Sequence, residues 1–211
     1  MAGLRAPRAG SARENQIKVE NSFDSEEALK CLAWIREVTG EPINLESVLD
    51  NKHKVSEFFY RTLKDGILLC KLVNAIVPDD IQINMKSQTF KKSNNDAFES
   101  AKERARIELF CQKIQEFGVP ENMSFQTDSL YEKTNLPQVC AAIRNFGIEA
   151  ESRPSFSGRR TWPKRAEQNR RNFSEEQLRA SEGVINLQMG SNKGATQSGM
   201  TFGKKRMITK D

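Results

Sequence analysis

The stretch Asp65 to Pro78, read as DGILLCKLVNAIVP, constrains the fold more than any other part of the chain. Ile67, Leu68, Leu69, Cys70, Leu72, Val73 and Ile76 leave almost no polar face on a helix of 3.6 residues per turn. Such a helix belongs at the centre of a bundle, with neighbours on nearly every side. Asp65 offers a carboxylate to cap its free amides, Gly66 allows another backbone to come close, and Pro78 stops it. The apolar run is interrupted by Lys71 and is far shorter than the roughly 20 residues a bilayer demands.

The other helices follow from the same arithmetic. Asp24, with Glu27 three residues on, is a capping-box-like start; Ala28, Cys31, Leu32, Ile35 and Val38 then recur at helical spacing, Trp34 widens the stripe, and Gly40 ends it. A third helix is expected from Asn95 or Asp96 to Phe117, with Phe98, Ala101, Ala105, Leu109, Phe110, Ile114 and Phe117 inward and Lys102, Glu103, Arg104, Arg106 and Glu108 outward. A fourth is expected over Pro137–Phe146, with proline in its first turn and Gly147 as its stop. Shorter turns fit Leu45–Leu49, Val55–Leu63 and Ser129–Lys133. No alternating strand pattern appears, so the expected class is all-α.

Charge divides the chain of 211 residues more sharply than its net +5 suggests. Residues 151–211 hold 13 basic and 6 acidic side chains, whereas residues 1–150 hold 20 and 22. The stretch Glu151 to Arg171 mixes Pro, Ser, Gly and Arg with few aliphatics and reads as a linker that buries too little surface to offset its ordering entropy. Over residues 159–171, Arg159, Arg160, Lys164, Arg165, Arg170 and Arg171 stand against Glu167 alone, a concentration of charge drawn to acidic surfaces. Phe173, Ser174, Gln177 and Leu178 then spell a capping box with a hydrophobic staple, for a short helix ending at Gly183.

Chemistry is hard to assemble from the remainder. Cys31, Cys70, Cys111 and Cys140 lie far apart beside apolar neighbours with no CxxC pair, so they read as four small buried thiols rather than metal ligands or a disulfide framework. His53 is the only histidine, and no GxxxxGK[ST] loop or EF-hand loop is present. The chain is therefore read as a non-enzyme with no cofactor and no metal. Met1–Ala12 lacks an apolar segment, so no signal peptide is expected and the compartment is read as cytoplasmic.

From Gly183 onward, Gly190, Gly194 and Gly199 with Ser, Asn, Thr and Gln between them resist both a helix and a packed strand. Leu187, Met189 and Met200 offer flexible apolar anchors, and Lys193, Lys204, Lys205 and Arg206 supply charge. That is the composition of a largely extended tail that orders on a partner.

Two resemblances attach to these residues. Ala33-Trp34-Ile35, the stretch Leu63 to Asn74 and a long third helix entered from an Asn-rich turn resemble a calponin-homology domain over roughly residues 25–148. Gly183 to Met200, with Phe202, Gly203, Lys204, Lys205 and Arg206, closely resembles the calponin-like repeat, departing from its commonest form at Asn186 and at Lys204-Lys205. One such domain followed by one repeat resembles the transgelin group of the calponin family. The resemblance implies a calponin-homology helical bundle with a basic tail, divided as a flexible basic segment over 1–23, the domain over 24–150, a basic linker with a short helix over 151–182, the repeat over 183–208 and an end at 209–211.

It also implies a function: binding, cross-linking, stabilising or regulating actin filaments, in muscle or contractile cells, in the cytoplasm and on the actin cytoskeleton. The residues expected to carry filament contact are Arg159, Arg160, Lys164, Arg165, Arg170 and Arg171 of the linker. With them stand Leu187, Gln188, Met189, Gly190, Lys193, Gly194, Met200, Lys204, Lys205 and Arg206 of the repeat. F-actin is the expected partner, with self-association and signalling proteins docked on the calponin-homology domain as further ones. No membrane is expected. The alternative reading is a cytoskeleton-associated signalling adaptor that uses the domain for docking. Acidic polymers in general attract such a tail, but the scarcity of stacking aromatics and the lack of a reading helix argue against nucleic acid. Ser191, Thr196, Ser198 and Thr201 are candidate phosphorylation sites, where added negative charge would oppose the basic tail.

Overall fold

The central helix finds the neighbours its all-round apolarity demands. In the computed structural model, which describes residues 9–48, 52–156, 158–165 and 171–182, helix α4 (Ile67–Ile76) packs against α2 (Ser25–Thr39), α3 (Lys52–Leu63) and α5 (Asp96–Glu116). Helix α1 (Ser11–Asn21) precedes them; α6 (Thr127–Tyr131), α7 (Leu136–Ser152) and α8 (Glu175–Glu182) follow. No strand occurs among the described residues. The chain divides into two compact units, 1–165 and 166–211, and α8 is the helix described in the second.

Local chemistry sets the ends of these helices. The Asp24 carboxylate accepts the backbone N–H of Glu26 at 2.9 Å, and Gly40 ends α2 in the left-handed region at φ 71°. Glu27, expected to close a capping box, instead pairs with Arg144 of α7 at 2.7 Å. Asp65 accepts the Ile67 amide at 3.0 Å ahead of α4, and Asn95 accepts the Ala97 amide at 2.9 Å ahead of α5. In the second unit Ser174 and Gln177 exchange bonds of 3.1 and 3.3 Å, the reciprocal pair that their spacing predicts. The side chain of Leu178, the other half of the expected staple, lies outside the described residues.

The core of the first unit is aromatic at its centre. Phe146 stands edge-on to Trp34, Phe110 and Phe117, with ring centroids 6.3, 6.1 and 5.5 Å away. Edge-to-face pairs at these separations are favourable beyond the area they bury. All four cysteines are buried, free thiols. Burial pushes the Cys70 thiol up to about 12 and Cys111 up to about 11, while a hydrogen bond with the Cys31 thiol and burial both raise Cys140.

Helix α5 corrects the sequence reading in two places. Phe98, expected inward, is 65% exposed, and Ala101 is exposed with it. Arg106, expected outward, is 1% exposed. The buried stripe is rotated relative to the expected one and runs through Arg106, Ile107, Phe110, Cys111 and Ile114. Arg106 is tolerated inside because each of its three guanidinium nitrogens finds a partner: it donates to the Thr89 carbonyl at 2.8 Å and the Asp65 carbonyl at 3.2 Å, and pairs with Glu99 at 2.8 Å. Gly66 makes the room. It has φ 71°, and a Cβ there would lie 2.7 Å from the Cβ of Arg106 and 3.0 Å from the Ile107 amide.

Three further expectations are revised. Residues 11–21, within the segment read as a flexible arm, form α1, which buries no side chain but donates from Gln16 to the Thr134 carbonyl at 3.2 Å. Val55–Leu63, expected as a connecting turn, is the C-terminal part of α3, which buries Val55, Phe59 and Leu63. Helix α7 does not stop at Gly147 but continues to Ser152, with Gly147 buried in its interior.

Candidate functional site

Beyond α7 the chain turns at Arg153–Phe156 and runs back across the first unit as a strap, residues 158–165. The turn is held by Arg153, whose guanidinium lies 3.6 Å from the centroid of the Phe117 ring and donates to the Phe117 carbonyl. The strap itself is held by Glu151. This carboxylate, on a residue 5% exposed, accepts the Thr161 amide on both oxygens at 2.9 Å and the Trp162 amide at 2.8 Å. A buried carboxylate is tolerated when amide donors replace its water, and here the donors come from the strap.

Trp162 is the strap's apolar anchor. It is 7% exposed and stands edge-on to Trp34 with centroids 6.0 Å apart, beneath the ammonium of Lys30, which is 4.8 Å from the ring. Its indole occupies the space left by Gly147, where a Cβ would fall 2.2 Å from the indole nitrogen. A glycine inside a helix costs about 1 kcal/mol relative to alanine; burying a large aromatic returns more than that. The reading of 151–165 as a linker too polar to pack is therefore corrected: one tryptophan and one carboxylate suffice to order it.

With the backbone so fixed, Arg159, Arg160, Lys164 and Arg165 all lie exposed on the strap. Arg165 pairs with Glu149 of α7 at 2.6 Å, a surface contact worth at most about 1 kcal/mol. Arg159 borders a groove of about 410 Å³ whose walls include Val38, Ala75, Ile76 and Phe156. Arg171 belongs to the second unit and is exposed there, just ahead of the Ser174 cap of α8.

Arg170 lies outside the described residues, as do Leu187, Gln188, Met189, Gly190, Lys193, Gly194, Met200, Lys204, Lys205 and Arg206. So do the candidate phosphorylation residues Ser191, Thr196, Ser198 and Thr201. The structure thus brings four of the expected cations onto one folded strap. Sequence reasoning missed Glu151, Trp162 and Gly147, which make the strap. The available signals were a lone Trp-Pro in an otherwise wet stretch and a glycine within an apolar helical run.

No cluster of metal-ligating side chains occurs among the described residues, and no described helix is long and apolar enough to cross a membrane.

Comparison with known proteins places this helical bundle and the basic segment that follows it. The family model of the calponin homology (CH) domain matches residues 25–150, and that of the calponin family repeat matches residues 185–208. The chain is 35% identical over 202 residues to "Myophilin" of Echinococcus granulosus, covering 96% of each protein. This chain belongs to the calponin and transgelin family of actin-associated proteins, whose matched domains are structural rather than enzymatic.

Proposed function

We propose that this protein binds the side of actin filaments through the cations of its strap and through its single calponin-like repeat, and that it stabilises, cross-links or regulates filaments in muscle or other contractile cells. The observation that carries this reading is the presentation of Arg159, Arg160, Lys164 and Arg165 on a backbone pinned by Glu151 and Trp162. Cations held on a fixed scaffold lose less conformational entropy on meeting an acidic surface than cations on a free chain. We read the repeat, matched at 185–208, as the second contact, with Leu187, Met189 and Met200 as apolar anchors and Lys193, Lys204, Lys205 and Arg206 as charges.

A repeating filament presents the same site many times, so two modest contacts on one chain reinforce each other through effective concentration. With one repeat, bundling of two filaments requires self-association or engagement of the strap and the repeat on different filaments.

The test is co-sedimentation of the full-length protein with actin filaments across a salt series, compared with Arg159→Ala/Arg160→Ala. The expected result is weaker binding and a shallower salt dependence in the variant, because the screened interaction is smaller. Binding equal to that of the native protein at every salt concentration would remove the strap from the filament contact. Truncation at Ala150 is a poorer comparison, since it takes Trp162 out of the core along with the charges.

A further inference from the structure

The groove beside the strap has the chemistry of a recognition site. Val38, Ile76, Phe117 and Phe156 give it apolar walls; Arg159 stands on one rim and Glu37 is the acidic residue of its lining. Phe156 is fixed there by its packing on Gly158, where a Cβ would come within 2.8 Å of the ring. Arg159 and the adjacent Arg160 are exposed and have no hydrogen-bond or ion-pair partner among the described residues, whereas Arg153 and Arg165 share Glu149. Two unengaged guanidinium groups, Arg159 in the lining of an open slot of mixed polarity and Arg160 next to it in the chain, match one kind of occupant: an acidic peptide segment that also carries an apolar side chain.

We propose that the groove and the two arginines form one preformed site for such a segment of the actin filament subunit, its carboxylates meeting Arg159 and Arg160 and its apolar side chain entering between Val38, Ile76 and Phe156. This rests on the strap being the filament-facing surface, and it adds an apolar component that charge alone does not provide. Electrostatics then governs encounter and salt dependence, while the groove governs residence. Glu37 sets the direction, because an incoming carboxylate is repelled from it and drawn towards Arg159.

The experiment compares full-length Ala75→Gln with Arg159→Ala/Arg160→Ala in filament co-sedimentation over a salt series. Ala75 lies exposed in the groove lining, so glutamine plugs the slot without changing charge or disturbing the core. The expected result is about fivefold weaker binding for Ala75→Gln with an unchanged salt slope, against weaker binding with a shallower slope for the double arginine variant. Ser155→Gln, exposed and also in the lining, repeats the plug at a second position and decides the matter if Ala75→Gln lowers thermal stability.

Native affinity in the plugged variants together with loss in the arginine variant overturns the groove and leaves the filament reading standing. Native affinity in the arginine variant removes both. If the protein self-associates without filaments and Ala75→Gln abolishes this, the groove belongs to a second copy and the proposal is overturned.

Discussion

Gly147 and Trp162 occupy what is in effect a single residue's volume: a Cβ on Gly147 would sit 2.2 Å from the indole nitrogen and 2.4 Å from the neighbouring ring carbon. Alanine at position 147 suits the helix better on propensity alone, yet here it must evict the indole. Gly147→Ala is expected to destabilise the first unit by about 1–3 kcal/mol, the usual cost of overpacking, and to red-shift tryptophan fluorescence as Trp162 meets water. Trp162→Ala should cost about 3–5 kcal/mol, with Trp162→Phe in between. Denaturant unfolding measures both; a Gly147→Ala protein as stable as the native one would contradict the anchored strap.

Acid should weaken the Arg106 cluster. The Ser93 amide and, after it, the Arg106 guanidinium hold the Glu99 carboxyl below its ordinary range. A carboxyl whose folded value is depressed contributes stability above its unfolded value of about 4.3, and that contribution disappears as pH falls through the folded value. The native protein should therefore be more stable than Glu99→Gln at pH 7, and the gap should close towards pH 3. Unfolding curves at the two pH values give the comparison. A gap that widens in acid would contradict the pairing.

Removing the other partner is harsher. Arg106→Ala leaves Glu99 without its cation and two carbonyls without their donor, and should cost about 3–5 kcal/mol, as for other broken buried pairs. Arg106→Lys should recover little, because an ammonium cannot span the Thr89 carbonyl, the Asp65 carbonyl and Glu99 together. Thermal unfolding of the two variants side by side tests this.

The thiols should be silent until the fold opens. With Cys70 pushed up to about 12 and Cys111 up to about 11, almost no thiolate exists at pH 8, and burial blocks the reagent as well. Ellman's reagent should react slowly with the native protein and promptly with four thiols in denaturant. Fast native labelling would mean that the core opens far more readily than its packing suggests.

Phosphate in the repeat should act against binding. Ser191→Asp places negative charge two residues from Lys193, and on the filament-binding reading it should lower affinity about two- to fivefold at low salt, with less effect as salt rises. Co-sedimentation of the full-length variant provides the readout, and unchanged affinity would argue that this serine stands clear of the contact.

Much of the bundle was legible in the sequence because helical periodicity and end signals report directly on local backbone. Asp24, Gly40, Asp65, Asn95 and the Ser174–Gln177 pair do what their residue types predict. Errors arose where tertiary contact overrode a local rule. Gly147 looked like a helix stop because glycine usually is one, whereas here its missing side chain serves a residue fifteen positions on. Arg106 looked like a surface residue because isolated charges are costly inside, yet Glu99, Thr89 and Asp65 supply its partners from three separate segments. The cations of the candidate site could be read off the sequence; the scaffold that holds Arg159 to Arg165 depends on long-range packing that composition does not report.

The position of Trp162 also has a mechanical meaning. Everything that follows the strap, repeat included, is joined to the helices through the residues just after this indole. Tension applied to the tail thus meets the Arg165–Glu149 pair first, then the plug between Trp34 and Gly147 and the three hydrogen bonds from the strap amides to Glu151 near the C-terminal end of α7. A pull on the tail is therefore borne by the strap before it is borne by the helices behind it, and it enters them at the end of α7.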